Sequence, residues 1–589
     1  MYRLLTKNEI AQLERLGNSA QDWNAIYVED PFELEQIRDN SFRGSVTIGA
    51  VSPATLRDDS GLELTEGIVG CWLIDSTIGS HCALHHVKYM SRYIVGDHCL
   101  LFNIGQMCGV DELAWLEPMN ENGARRILPF SGMTISDAYL WSRYRGHKKM
   151  LQHLETMTAE KLNKGQQAKI GDHACISNTQ LIRNVCMLSS KQSPSCIKQC
   201  VSVTDGVVGY GSRLEDGIIA TRFLLGENVK LEYGLRLNDT VVGDNSTVAR
   251  GEVGNSFIFP CHEQHHNSSF LIAALVEGQS NLASGATVGS NHNSRTADGE
   301  LQAARGFWPG LCCSLKHNSR FAAYCLLAKG DYPNELDIPL PFALVNNNAS
   351  KNQLEVMPAY WWMYNMYALN RCNTKFHARD KRKRKEQDID FQILAPDTAE
   401  QILGARTLLK TWIDKAGTND IVYGEGMEHS KRPVLILKAR EAYKAYEDML
   451  YLYVTRELCS LDKLPDPETA AERWVNMGGM MVKRSDIALL ISKIEGGIIS
   501  SWDEIHAYWH KLHETHTADI AAHAMKVLLI LEGKDSITKE ELSKIAPRYD
   551  EIMNFVQQQV KATRQKDIDN PFRHISYFDD DEYHAVLGC

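Results

Sequence analysis

A three-residue phrase recurs near the middle of this chain: His266-Asn267-Ser268, His292-Asn293-Ser294 and His317-Asn318-Ser319. The second and third copies run on into Arg295 and Arg320, and Trp308 lies between the third copy and the second. Imidazole has an ordinary pKa of about 6.5, so it can take or give a proton near neutral pH. Asparagine can hold a developing oxyanion, and the arginine fork matches carboxylate and phosphate. A second polar segment, residues 120–130, holds Asn122, Arg125 and Arg126. Its paired guanidiniums suit an anionic substrate group, the plainer alternative being solvation or pairing with Glu121. The histidine phrases have a plain reading too: Asn tolerates the left-handed backbone of a sharp corner, and Ser follows as a small turn residue. His506, His510, His513 and His516, with His523 beyond, fall on one predicted helix. No Glu sits in the metalloprotease position between paired histidines, so a polar helix face is expected and no metal site.

These residues are set on a repeat. An aliphatic-glycine phrase opens at Ile78-Gly79, Val95-Gly96, Ile170-Gly171, Val208-Gly209, Leu225-Gly226 and Val242-Gly243, with 17-residue steps wherever copies follow directly. A period of 17 is too short for a pair of helices or a leucine-rich repeat. It fits one coil of three short strands, with an aliphatic inward on each strand and Gly, Asn or Asp at the corners. Cys82 and Cys99, one period apart, are expected to stack inside the tube as small apolar fillers.

This pattern resembles the hexapeptide-repeat, left-handed parallel β-helix superfamily, within a group of larger members that carry a helical C-terminal half. The resemblance covers roughly residues 45–345 and is strongest over 207–257. It implies a left-handed β-helix and a transferase acting on a sugar or sugar-nucleotide. The most direct form of that chemistry is acyl transfer from a coenzyme A thioester, with a wall histidine (His292, His317 or His266) as general base. Arg125, Arg126, Asn122, Arg295, Arg320 and Trp308 are then the substrate-binding candidates. The resemblance also implies a homo-oligomer. Two other readings stay open: a non-catalytic ligand-binding or assembly scaffold, and a nucleotide-sugar binding protein akin to the β-helical appendage of sugar nucleotidyltransferases. No nucleotidyltransferase signature or phosphate-binding P-loop is present.

Composition narrows the classes. With 44% hydrophobic and 23% charged residues the chain reads as an ordinary globular protein of two or three domains. A net charge of −11 disfavours nucleic acid as a general partner. The N-terminal residues lack the apolar core of a signal peptide, and no apolar run reaches the 18 or so residues of a membrane span. The 15 cysteines are scattered without a Cys-x-x-Cys pair, which suits a reducing cytoplasm. The expected organisation is a helical N-terminal cap over 1–44, a β-helix over 45–345 interrupted by a loop and helical insertion at 111–168, and an α-helical domain over 350–589. Predicted helices fall near 398–416, 433–460, 484–494, 501–532 and 538–564. The Trp- and Tyr-rich stretch near 360–367 is expected to pack between the two halves. The basic run 379–385 is expected to be an exposed linker face.

Overall fold

A computed structural model describes residues 1–589 apart from 120–122, 124, 163–167, 290–298, 470–471 and 588–589. The N-terminal part is a parallel β-solenoid and the C-terminal part is largely helical. The repeat sets the register directly. Ser202 pairs with Ile219, Ile219 with Arg236, and Leu225 with Val242. Long strands such as Ser202–Val208 and Ile219–Leu225 turn a corner at a single left-handed residue, Asp205 (φ 59°) and Arg222 (φ 48°). They thus supply two walls, and Arg213–Glu215 and Lys230–Glu232 stack in the third. The interior column Val203, Ala220, Leu237, Val253 and Leu271 is buried to within 2% exposure. Cys82 (3%) and Cys99 (0%) face the same core, where the Cys99 amide donates to Cys82 Sγ at 3.4 Å.

The repeat glycines allow the rungs to close. A Cβ on Gly209 would lie 2.2 Å from the Gly226 carbonyl oxygen in the next coil. Gly209→Ala is therefore expected to destabilise the solenoid by about 1–3 kcal/mol through forced rung separation. Chemical denaturation checks this, and a loss under about 0.5 kcal/mol would show that the rungs yield freely.

The first helix, α1 (Lys7–Arg15), is closed by a Thr6/Glu9 capping box. The rest of the expected cap is already solenoid: Ser19–Ala20 pairs with Ser41–Arg43 and Ile26–Val28 with Val46–Ile48. Between the strands at 106–108 and 169–170 the chain leaves the solenoid and forms α2 (Ile135–Arg143) and α3 (Lys148–Leu162). These helices cover the outer face of the second wall. Cys186, Val207, Leu224, Val241, Phe257 and Leu275 project from successive rungs into a second core shared with Leu140, Trp141, Trp502 and Trp509.

The C-terminal open edge is closed by an antiparallel partner. Leu344–Asn348 pairs with Gln353–Met357, and Val434–Ile436 and Val422–Gly424 extend that sheet. Closure of this kind removes the exposed edge on which solenoids associate. The C-terminal part is thus helical around a continuation of one wall. Its helices are α4 (Tyr360–Tyr364), α5 (Met366–Arg379), α6 (Pro396–Ala416), α7 (Ala439–Leu458), α8 (Arg484–Glu495), α9 (Trp502–Glu532), α10 (Lys539–Ile545), α11 (Pro547–Ile568), α12 (Pro571–His574) and α13 (Asp580–Leu587). None of the described helices is long and apolar enough to cross a membrane.

The basic run is exposed along most of its length, as expected, but it is anchored at one side chain and through its backbone. Arg382 is buried, donating to Asp244 at 2.9 Å and to Asp380 at 3.0 Å. The amides of Lys383, Arg384 and Lys385 all donate to the Glu227 carboxylate. The segment is a strap tied to the acidic side chains of adjacent rungs.

Candidate functional site

Beyond the rung that carries Leu275, the outward positions of the second wall change character. The column that holds Val241, Phe257 and Leu275 continues as Gln302, Arg320 and Asp337. The insertion no longer covers it, and helix α6 stands over the wall instead. A cleft of about 870 Å³ opens there, between the wall, α2, α6, α9 and the hairpin of Trp474–Met477 with Met480–Lys483. A neighbouring chamber of about 500 Å³ continues along the wall under α6, and Glu277 and Gln401 line both.

Helix α6 is held by one buried ion pair. Arg305, 1% exposed, donates through Nε to Asp397 Oδ2 at 2.9 Å and through Nη2 to Oδ1 at 2.8 Å. Its third nitrogen donates to Gln279 Oε1 at 3.1 Å and to the Gln392 carbonyl at 2.8 Å. Tyr324 donates to the same Gln279 oxygen at 2.8 Å. Asp397 sits in the first turn of α6, where a carboxylate also complements the helix dipole. Gln401, one turn on, accepts the Ala323 amide at 2.7 Å.

Glu277 lies at the floor of the cleft. Burial, and after it the charge of Asp397, pushes its carboxyl up to about 8. The group is therefore mostly protonated at neutral pH, and can donate as well as accept. Asn476 fixes its backbone by donating to the Glu277 carbonyl at 3.2 Å. Arg143, Arg473 and Arg484 line the same cleft. Arg143 reaches Glu300 at 3.4 Å, while Arg473 and Arg484 are exposed and make no ion pair among the described residues. Lys526 is buried and committed: Nζ donates to the Glu472 carbonyl at 2.9 Å and lies 3.5 Å from both Glu400 and Glu468. Trp474 packs behind this rim, its indole N–H donating to Glu468 at 3.1 Å. The arrangement brings Arg143, Arg473 and Arg484 into one cleft with the protonated Glu277, alongside Asp397, Glu400 and Glu472. It can bind an anionic group and exchange a proton with what that group carries.

The expected site residues divide. His292, Arg295 and Asn122 lie outside the described residues. His266 is exposed at the corner between the third and first walls, its ring 4.4 Å from His265. His317 is buried at a different corner, between the first and second walls. The two phrases thus occupy non-equivalent corners, and neither histidine lines the cleft. The left-handed residue is Asn318 (φ 61°) in one phrase and Ser268 (φ 60°) in the other. Arg125 and Arg126 diverge. Arg125 donates to Glu300 at 2.8 Å, beside Arg143 at the cleft rim, whereas Arg126 lies over the Trp115 ring at 4.5 Å. Arg320 lines the second chamber and forks onto Asp337 at 2.9 and 2.7 Å. Trp308 is on another wall, packed 5.7 Å from Trp361 and away from the cleft.

Glu277 carries a signal in the sequence. In register it occupies the place of Gly209, Gly226 and Gly243: Val242 pairs with Ile258, Ile258 with Val276 and Val276 with Ala303. The preceding rung already carries Phe259 in that place, so what sets Glu277 apart is a carboxyl in a column otherwise held by glycine and apolar side chains. The histidines of α9 also have defined roles. His506 meets Asp137 at 2.7 Å and His516 meets Asp390 at 2.9 Å, while His510 and His513 flank Asp388. They join α9 to the insertion and to the strap. No group of three or more metal-ligating side chains occurs among the described residues.

Comparison with known proteins adds the following. The family described as Domain of unknown function (DUF4954) matches residues 2–412, and Domain of unknown function (DUF6819) matches residues 456–578. A protein of Treponema pallidum (strain Nichols), described as an uncharacterized protein, is 40% identical over 653 aligned positions, covering 100% of this chain and 90% of that relative.

Proposed function

We propose that this chain, which belongs to the DUF4954 family, binds a sugar phosphate or sugar-nucleotide in the cleft between the second wall and α6, and acts on it as a transferase. The observation that carries this reading is Glu277, a carboxyl pushed up to about 8 in a cleft also lined by Arg473 and Arg484, which make no ion pair among the described residues. The arginines take the phosphate, and Glu277 supplies the proton that a leaving oxygen needs or accepts the one an attacking hydroxyl gives up. The proton-transfer group is then a carboxyl rather than the imidazole that the superfamily resemblance implies. The left-handed hexapeptide-repeat assignment remains part of the proposal, as does a cytoplasmic setting suited to scattered free thiols.

A thermal-shift panel of sugar phosphates and sugar-nucleotides tests it. At least one member is expected to raise the unfolding temperature, and Arg473→Ala with Arg484→Ala is expected to abolish that shift. Affinity for the anion is expected to fall as pH rises through about 8, where Glu277 becomes negative. In Glu277→Gln that fall disappears. A panel without a stabilising member, or a shift indifferent to both arginines, contradicts the reading. Binding that survives in Glu277→Gln, with no turnover of the bound sugar by the wild type, favours a ligand-binding scaffold over an enzyme.

A further inference from the structure

The second chamber differs from the cleft it joins. Along the wall, the position held by Glu277 is taken on the next rungs by Ala304, Ala322 and Pro339. Opposite them, α6 presents Gln401, Gly404, Ala405 and Leu408, spaced to share one helix face. The Arg305–Asp397 pair and the Gln401–Ala323 bond set the height of the helix, and the small side chains on both sides leave the space beneath it unfilled. From the Glu277 rung to the Pro339 rung is three rung spacings, roughly 14 Å. No Trp or Tyr lines the chamber among the described residues, and its one aromatic, Phe321, is 1% exposed. Its one charged wall group, Arg320, is forked onto Asp337 at the chamber's edge. The result is a mostly apolar trough of about 500 Å³ that runs into the cleft at Glu277 and Gln401.

We propose that the trough takes the apolar chain of an acyl group carried by the anionic molecule bound in the cleft. This rests on the function proposed above and specifies its substrate: an amphiphile with its charged end at Arg473 and Arg484, its reacting group at Glu277 and its hydrocarbon between the wall and α6. Continuity carries the assignment, because Glu277 and Gln401 belong to both chambers and one molecule can occupy them together. Apolar area buried in such a trough adds affinity in proportion to chain length.

The test uses Gly404. An added Cβ there meets no atom within 4 Å, and helix propensity favours any ordinary residue over glycine in the interior of α6. Gly404→Leu fills the trough without a clash. Titration calorimetry would compare acetyl- and octanoyl-coenzyme A on the wild type and on this variant, with UDP-N-acetylglucosamine as a chain-free probe of the cleft. Octanoyl-coenzyme A is expected to bind the wild type at least tenfold more tightly than acetyl-coenzyme A. In Gly404→Leu the two are expected to bind alike, with acetyl-coenzyme A unchanged. Equal affinities in the wild type, a chain-length gain that survives in Gly404→Leu, or no binding of either thioester overturns the inference. In each of those cases arginine-dependent binding of the sugar-nucleotide leaves the function of the cleft standing, and its loss as well removes both. A peptide or protein found in the trough in place of the acyl chain likewise overturns the inference.

Discussion

Arg305→Met is expected to destabilise the protein by about 3–5 kcal/mol, because it leaves the Asp397 carboxylate buried without its cation. The guanidinium is 1% exposed and all of its nitrogens are used, two on Asp397 and one on Gln279 and the Gln392 carbonyl. Methionine keeps much of the volume and none of the bonds. The loss is not the worth of the pair, since replacing both partners by apolar groups is often close to neutral. The double variant Arg305→Met, Asp397→Leu is therefore expected to recover most of the stability in chemical denaturation. It should not recover ligand affinity, because α6 then has no fixed height over the wall. A single variant that loses less than about 1 kcal/mol would mean that water reaches Asp397 and that the pair is not the strut described.

His506→Gln is expected to have an effect of similar size, about 3 kcal/mol, for the same reason where α9 meets α2. Asp137 is 0% exposed on α2 and receives His506 at 2.7 Å. Burial pushes the Asp137 carboxyl up, but the charge of His506 and the bonds from His506 and Thr134 bring it below its ordinary value. The charge of Asp137 holds His506 above its own ordinary value, against desolvation. The signs follow from linkage. The histidine contribution is complete below its unfolded pKa of about 6.5 and fades as pH rises through the raised folded value. The aspartate contribution is complete above its unfolded pKa of about 3.9 and fades as pH falls through the lowered folded value. The stability gap between wild type and His506→Gln should therefore be widest between about pH 4 and 6.5 and narrow on the alkaline side. A gap that is flat from pH 5 to 9 would show that His506 stays neutral and acts by shape alone.

How much of this could be read from the chain depends on how each feature is encoded. The solenoid was legible because a 17-residue step in sequence is one rung in space, as Ser202, Ile219 and Arg236 show. Helices α8 and α9 were legible from their apolar spacing. The first coils were not, since Ser41 and Trp72 are paired rungs 31 residues apart and the excursion between them breaks the period. The strands at 353–357, 422–424 and 434–436 are too short to announce themselves; each is defined by its partner, not by its own pattern. The run from Arg379 to Lys385 is solvated at most of its side chains, as charge runs usually are. What could not be read is its anchoring, through Arg382 and backbone amides, to Glu227 and Asp244 of adjacent rungs, which only stacking brings together. The histidine phrases drew attention by repetition, but repetition off the 17-residue period leaves the two described copies, at 266 and 317, on different corners. Glu277 was overlooked because a repeat is recognised by what it keeps. Its column reads Gly243, Phe259, Glu277 and Ala304 on successive rungs, and only that register shows a carboxyl opening onto an uncovered stretch of the wall.

The central claim is that the cleft lined by Arg473, Arg484 and Glu277 is where a ligand sits. It is tested most directly by a crystal structure of the protein soaked with the sugar phosphate or sugar-nucleotide that stabilises it most. The phosphate is expected between the Arg473 and Arg484 guanidiniums, with a sugar oxygen within hydrogen-bonding distance of the Glu277 carboxyl. An empty cleft in such a crystal, or the ligand bound instead at the solenoid corner beside His266, would contradict it.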